Sequence, residues 1–395
     1  MSTQQDPIVI TGMARTPMGG LMGELGGLAA TELGAVAVKA ALAESGVDGA
    51  QVDQVILGNV LPAGLGQAPA RQAALKAGLP VSAQAVTVNK VCGSGLQTVI
   101  SGVNAIAMGD ADIVVAGGME SMSGAPHLMK THRTGMKYGH DRLFDHMALD
   151  GLEDAYESKP MGQFADMIAQ EYQFTREQQD AYAIETLRRA QAATESGAFK
   201  REIAPVTIAG RGGDTVVDTD ELPRKARPDK IPTLKPAFNK DGTVTAANAS
   251  AISDGAAAVV LMKQSQASAR GAKVLARVVS SAAHAAEPRY FTTAPVGAIR
   301  KALDRAGWTA DSVDLWEINE AFAVVPMIAM KELGITHDRV NVNGGACALG
   351  HPLGASGTRI LTTLIAAMEA RGAKRGVASL CIGGGEGIAL CVERD

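Results

Sequence analysis

The sequence predicts an α/β protein made of two similar halves, the first interrupted by a polar insertion, and three observations carry that prediction. The first is a repeat. Leu42-Ala43-Glu44-Ser45-Gly46-Val47, leading to Val52-Asp53-Gln54-Val55-Ile56-Leu57, aligns without gaps with Leu303-Asp304-Arg305-Ala306-Gly307-Trp308, leading to Val313-Asp314-Leu315-Trp316-Glu317-Ile318, at a constant offset of 261 (303 − 42). The second is an alternation of short apolar runs with longer runs of helical period. The third is a change of texture between about Ser121 and Asn248, where Met, His and Lys/Arg clusters and the proline-rich Pro223 to Pro236 replace the Gly/Ala-rich pattern of the flanks. On this reading residues 1–121 form the first half, 122–249 the insertion, 250–272 a return to the first half and 273–395 the second half.

The elements follow in order. After the polar Met1 to Pro7, Ile8-Val9-Ile10 reads as the first strand. Each copy of the repeat then reads as an amphipathic helix, a glycine stop, a short linker and a buried strand, followed by Gly58-Asn59 in one copy and Asn319-Glu320 in the other. Ala85-Val86-Thr87-Val88 is short and β-branched, and Leu96, Val99, Ile100, Val103 and Ile106 recur at helical spacing until Gly109 stops them. Asp112 to Gly118 echoes Ala378 to Gly384 more weakly. Inside the insertion a long polar helix is expected from Thr175 to Ser196, and from Ala246 to Met262 the chain turns apolar again and rejoins the first half. Ligands of such folds gather at strand C-termini, so the loops of both halves should converge, with the insertion covering them.

Composition excludes several classes of function. With 395 residues, 46% hydrophobic and 20% charged, and a net charge of −4, the chain has ample material for cores and no dominant sign of charge. Neither nucleic acid nor an anionic membrane surface is expected as a partner. We read no stretch as long and apolar enough to span a bilayer, no secretory signal at the N-terminus and no peroxisomal address at the C-terminus. Four cysteines are too sparse for a disulfide framework, which points to a reducing, cytoplasmic setting.

Four motifs carry chemistry. Cys92, in Asn89-Lys90-Val91-Cys92-Gly93-Ser94-Gly95, lies between a strand-like and a helix-like run, where unpaired N–H groups and the macrodipole favour a thiolate. Gly93 and Gly95 let a backbone or a substrate approach; the alternative is a buried structural cysteine. Glu317-Ile318-Asn319-Glu320-Ala321-Phe322-Ala323 offers polar side chains at a strand end, or an ordinary helix cap by Asn319. Asn341 to Gly357, placed where another strand should end, is glycine-dense, and Pro352 holds His351 in extended backbone that projects its ring from a loop. Cys381-Ile382-Gly383-Gly384-Gly385-Glu386-Gly387 brings a second thiol to a strand end. A redox pair or a metal site is the weaker reading of two thiols and a histidine, since no Cys-x-x-Cys spacing exists, and we assign no metal. Cys347 and Cys391 read as buried structural residues.

Together these motifs, in this order and spacing, resemble the thiolase family over essentially the whole chain, and within it the acetyl-CoA acetyltransferases (acetoacetyl-CoA thiolases). The resemblance implies a five-layered α-β-α-β-α fold of two βαβαβαββ halves with an inserted loop domain. It implies that Cys92 is acylated after losing its proton to His351 and that Cys381 deprotonates a second acetyl-CoA. Asn319 would hold a water that, with His351, stabilises the enolate oxygen. The N–H groups of Cys92 and Gly383 would form the second oxyanion hole. Acetyl-CoA, acetoacetyl-CoA and CoA are then the substrates, with no tightly bound cofactor.

By the same resemblance Ser250, Ala246, Leu234 and Phe238 would contact the pantetheine of CoA, and Arg224, in a basic stretch, its adenine or phosphates. Met161 and Phe291 would line the acyl pocket, with core packing as the alternative for both. Lys130, His132, Arg133 and Lys137 match the loop that joins dimers into tetramers, so a homodimer or homotetramer is expected. Pro160, where the short-chain members commonly have His, and Phe291, where many have Met, leave acyl chain length open. The alternatives are a 3-ketoacyl-CoA thiolase for longer or branched chains and a non-catalytic acyl-CoA-binding or thiol-sensing protein.

Overall fold

A computed structural model describes residues 6–395; Met1 to Gln5 of the polar N-terminal segment lie outside the described residues. The first half contributes β1 (Ile8–Arg15), β2 (Gly19–Gly20), α1 (Ala30–Ser45), β3 (Gln54–Gly58), α2 (Pro69–Lys76), β4 (Gln84–Val88), α3 (Ser94–Met108) and β5 (Val114–Ser121). The insertion carries β6 (His127–Leu128), β7 (Phe144–Asp145), α4 (Met161–Glu171), α5 (Arg176–Glu195), β8 (Val206–Ile208), β9 (Thr215–Val217) and α6 (Glu221–Lys225). The chain returns with β10 (Ser253–Lys263) and α7 (Gln264–Arg270). The second half comprises β11 (Ala276–Ala285), α8 (Ala294–Ala306), β12 (Leu315–Ile318), α9 (Val324–Leu333), α10 (Ala346–Leu349), α11 (Leu353–Arg371), β13 (Arg375–Ile382) and β14 (Glu386–Glu393).

In each half the parallel pairings lie at the outer edge, β5-β3-β4 in the first and β12-β13 in the second, and the strands toward the junction pair antiparallel. The strand order is β12-β13-β14-β11-β1-β10-β5-β3-β4, with β2 paired to β10. The two halves meet where β1 and β11 pair at only Val9–Arg277 and Ile10–Ala276. Five layers result: α1 and α2 outside the first sheet, α3 and α11 between the sheets, and α8 and α9 outside the second. The fold class read from the sequence is therefore observed. Both copies of the repeat end their helix in the same way, with Gly46 and Gly307 at φ 67 in the left-handed conformation that closes a helix C-terminus.

The middle layer positions the site. Residues Leu353 to Met368 of α11 are all buried, so this helix is apolar around its circumference instead of along one stripe. Two glycines let α3 and α11 touch backbone to backbone: a Cβ on Gly95 would lie 2.8 Å from Thr358 N, and one on Gly357 would lie 2.1 Å from Leu96 N. Thr358 Oγ1 donates to the Gly95 carbonyl at 2.7 Å across the same crossing. The N-termini of the two helices, one preceded by Cys92 and the other by His351, are thereby brought together. One expectation is corrected here, because residues 91–108 are long and apolar enough by composition to cross a membrane. Their apolarity serves the packing of α3 between two sheets, where about half the segment is buried.

Two further expectations shift. Val114 stands beside Gln54 and Gly376 beside Leu315, so the weaker echo aligns Val114 with Gly376, whereas the sequence register aligned Asp112 with Ala378. The strand expected before Asn341 shrinks to a single bridge between Trp316 and Val340, because Asn341 turns left-handed at φ 47 immediately after it. The long insertion helix is α5, with a capping box formed by Thr175 and Gln178 and its C-cap at Ser196.

Candidate active site

Cys92 sits on a strained elbow. Val91, a β-branched residue, is held at φ 45. Its N–H donates to Asn89 Oδ1 at 2.9 Å, and its carbonyl accepts from Ser94 Oγ at 2.7 Å. The turn delivers Cys92 to the start of α3 with 9% of its surface exposed. Its own N–H and that of Gly383 face its sulfur and favour the thiolate, yet burial outweighs them and, with the Glu120 carboxylate, pushes the thiol up to about 11. The expectation that a helix start alone would ease ionisation is thus corrected: Cys92 rests as a thiol and needs a base.

His351 supplies one. It lies between α10 and α11, 5% exposed, with its N–H on the Ala251 carbonyl at 3.0 Å. Burial, helped by the Arg359 charge, pulls the imidazole down to about 3, so the ring is neutral across the physiological range. Its Nδ1 lies 2.5 Å from Ser356 Oγ and its Nε2 lies 3.4 Å from Asn319 Nδ2. Asn319 caps no helix, since α9 begins only at Val324; its Oδ1 accepts from Arg359 Nη2 at 3.4 Å. The capping alternative is excluded by these contacts.

Cys381, fully buried on β13, has its thiol held well above the ordinary range, first by burial and then by the nearby Cys92. Gly383 follows it at the mouth: a Cβ there would lie 3.5 Å from Val91 Cγ1 and 3.9 Å from Met161 Cε. The structure therefore gathers Cys92, Cys381, Gly383 and Met161 at one place, with His351 delivered by the α3–α11 crossing and Asn319 set against His351 from the end of β12. Among the described residues no cluster of three or more His, Cys, Asp or Glu side chains could hold a metal.

The structural roles of four buried charged residues, Glu120, Glu317, Glu320 and Arg359, escaped sequence reasoning. Glu120 accepts Asn59 Nδ2 at 2.7 Å, Val60 N at 2.9 Å, Leu61 N at 3.1 Å and Gly354 N at 2.8 Å, which ties loops of both halves together beside Cys92. Glu320 accepts Tyr182 Oη, Thr186 Oγ1 and Asn341 Nδ2 at 2.8 Å each, and Cys347 N at 3.0 Å, which anchors the insertion helix α5 to the second half. Arg359 pairs with Glu317 at 3.2 Å, both buried. A charge inside an otherwise apolar run, as in Thr358-Arg359-Ile360-Leu361, was the available signal.

A groove of about 370 Å³ contains Leu234, Ala246, Ala251, Lys225, Arg227, Lys230 and Cys347. Leu234 and Ala246 therefore meet as expected, but Arg224 does not join them. Its guanidinium pairs with Glu24 at 2.7 Å and lines a different surface hollow, while Lys225, Arg227 and Lys230 face the groove. Cys347 is half-buried on the groove wall, a correction to its reading as a core residue; Cys391 is fully buried. The Ser250 hydroxyl donates to the Ala321 carbonyl at 3.0 Å and so bears on the Asn319 loop. Phe238 and Phe291 meet Phe322 edge-on at 6.1 and 6.0 Å, and Phe291 is 2% exposed, as its core-packing alternative expected.

Two family descriptions match the chain, Thiolase, N-terminal domain over residues 8–265 and Thiolase, C-terminal domain over residues 272–394. The chain belongs to the thiolase family. Within that family it is similar to acetyl-CoA acetyltransferases: that of Pseudomonas aeruginosa is 51% identical over 390 residues, covering 98% of this chain and 99% of that protein. The acetyl-CoA acetyltransferase of Cupriavidus necator is 52% identical over 389 residues, with 98% and 99% covered. Among solved structures, the Acat5 thiolase from Ascaris suum in complex with coenzyme A superposes with a TM-score of 0.94 at 44% identity, over 98% of this chain and 100% of that one.

Proposed function

We propose that the protein is an acetyl-CoA acetyltransferase that interconverts two acetyl-CoA with acetoacetyl-CoA and CoA through an acyl group on Cys92. One observation carries the reading: two thiols share a site in which the N–H groups of Cys92 and Gly383 face the Cys92 sulfur. A carbon–carbon bond between two thioesters needs a nucleophile to hold one acyl group, a base for the other and donors for two oxyanions. Cys92 gives its proton to His351 Nε2 and attacks the first thioester. CoA departs as a thiol with the Cys381 proton, leaving a Cys381 thiolate beside protonated His351. That thiolate takes the α-proton of the second acetyl-CoA, and Asn319 with His351 stabilises the enolate oxygen. The enolate carbon attacks the acyl group, the N–H groups of Cys92 and Gly383 hold the tetrahedral oxyanion, and Cys92 leaves to recover its proton from His351. The cycle closes with both cysteines as thiols, the state in which burial holds them at rest.

No bound metal or redox group is required, since the thioesters carry their own activation. Lys225, Arg227 and Lys230 suit the phosphates of CoA, and Leu234 and Ala246 its pantetheine. The aromatic cluster of Phe291, Phe322 and Phe238, which packs with Met161, supports a short acyl chain. The exposed Met136, Tyr138 and Leu143, in the segment with Lys130, His132, Arg133 and Lys137, support a homodimer or homotetramer. The test is thiolysis kinetics on a series of 3-ketoacyl-CoA esters. The largest kcat/KM is expected for acetoacetyl-CoA; a larger value for longer or branched esters would move the assignment to a 3-ketoacyl-CoA thiolase.

A further inference from the structure

We propose that Arg359 and Ser356 are positioning residues that impose a one-way hydrogen-bond order, Arg359 to Asn319 to His351 to Ser356 to the Pro352 carbonyl, and so fix both the Asn319 amide and the His351 tautomer. The inference rests on the catalytic roles proposed for Asn319 and His351. It follows from the donor inventory of five groups: Arg359, Asn319 and Ser356, which are fully buried, His351, which is 5% exposed, and a backbone carbonyl.

The two ends of the chain leave no choice of direction. Arginine only donates, so the atom of Asn319 that meets Arg359 Nη2 at 3.4 Å is the carbonyl Oδ1. The amide nitrogen then faces His351 Nε2 at 3.4 Å. At the other end, the Pro352 carbonyl only accepts, so the Ser356 hydroxyl spends its hydrogen there at 2.8 Å. Ser356 Oγ is left to accept from His351 Nδ1–H at 2.5 Å. Both ends demand the same histidine: Nδ1 protonated, Nε2 a lone pair turned into the site. Glu317, 3.2 Å from Arg359 Nη1, holds the guanidinium in place.

The order has a consequence for the reaction. When the Cys92 proton moves to Nε2, that nitrogen no longer accepts from Asn319. His351 Nε2–H, and Asn319 Nδ2–H through the water it would hold, then serve the same point, where an enolate oxygen is to form. The 3.4 Å contact between them is long, so little is lost when it opens. Without Arg359 the amide is free to turn its oxygen toward that water, taking one of the water's hydrogens instead of donating to it and weakening what the water can give the oxyanion.

The experiment separates two half-reactions of the full-length enzyme: acetyl uptake by Cys92, followed by quenched intact-mass analysis, and deuterium exchange into the methyl group of acetyl-CoA. Arg359→Lys keeps the charge beside Glu317 but not the fork that reaches Asn319. It is expected to acylate at nearly the wild-type rate and to exchange at least about tenfold more slowly. Ser356→Ala frees the tautomer and is expected to slow acylation itself by at least about tenfold. An Arg359→Lys protein that loses both half-reactions alike, or neither, would overturn the proposal, as would Ser356→Ala acylating at the wild-type rate if the arginine variant fails to fold. A 15N spectrum showing neutral His351 protonated at Nε2, assigned by its loss in His351→Asn, would also overturn it. Wild-type protein that takes up no acetyl group would instead refute the role given to Cys92, a result visible before any variant is compared.

Discussion

Replacing Glu120 by Gln tests how the site is held together. The carboxylate is fully buried and receives four N–H donors, two on each oxygen: Asn59 and Leu61 on Oε1, Val60 and Gly354 on Oε2. A carboxamide has one oxygen, so whichever way it turns, two donors meet an NH2 group and go unpaired. At about 1–3 kcal/mol for each buried donor left unsatisfied, the loss is about 2–6 kcal/mol, less whatever is regained by not burying a charge. Burial raises the carboxyl to about 7, against the pull of its donors. The sign follows from this shift: the stability linked to protonation is present below the ordinary carboxyl value and is lost as pH rises through about 7. The variant should therefore be compared by urea unfolding at about pH 8.5, where wild type holds a carboxylate. Because the ionised wild type itself gives up about 3 kcal/mol at that pH through the rise of the carboxyl from 4.5 to about 7, the net difference in unfolding is expected to be small. The deciding readout is hydrogen exchange at the Val60, Leu61 and Gly354 N–H groups: unchanged protection there would refute the idea that this carboxylate pins the two loops. Loss of its charge should also lower the Cys92 thiol from its value of about 11, read as faster alkylation by iodoacetamide at fixed pH.

Other outcomes follow from the same geometry. Cys381→Ser should still accept an acetyl group on Cys92 but lose condensation; loss of acylation as well would contradict its role as base. Asn319→Ala should slow both directions by about 10²-fold or more while CoA binding, measured by calorimetry, stays nearly unchanged. Because burial and Arg359 hold His351 near 3, the kcat/KM profile should show no acid limb near 6.5, and a limb there would contradict a neutral buried base. Gly357→Ala places a Cβ 2.1 Å from Leu96 N, so the α3–α11 crossing must open; a loss of stability of about 1–3 kcal/mol or more should appear in thermal unfolding.

Local chemistry made much of this legible in the sequence. The repeat located α1, β3, α8 and β12 because a glycine stop and an apolar strand are short-range signals. The Cys92, His351 and Cys381 loops stand out because glycine-dense turns at strand ends have few structural uses, and the Asn319 loop because it sets polar side chains at a strand end. What escaped was set by distance along the chain. Glu120 meets Gly354, and Glu320 meets Tyr182, only after the halves and the insertion have docked. The α3–α11 contact rests on Gly95, legible as a point of close backbone approach, and on Gly357, whose role no periodicity announces. The helix start at Cys92 favours the thiolate, as the sequence indicates, but burial, which depends on every neighbouring layer, outweighs it. Arg224 and Lys225 are adjacent in sequence, yet the turn of α6 sends one to Glu24 and the other to the groove.

The most direct test is the CoA-dependent disappearance of acetoacetyl-CoA with the purified protein beside Cys92→Ser, with peptide mapping of the acetylated enzyme. The account predicts turnover that vanishes in the variant and one acetyl group on Cys92. Turnover that survives in Cys92→Ser, or an acetyl group carried on another residue, would contradict it.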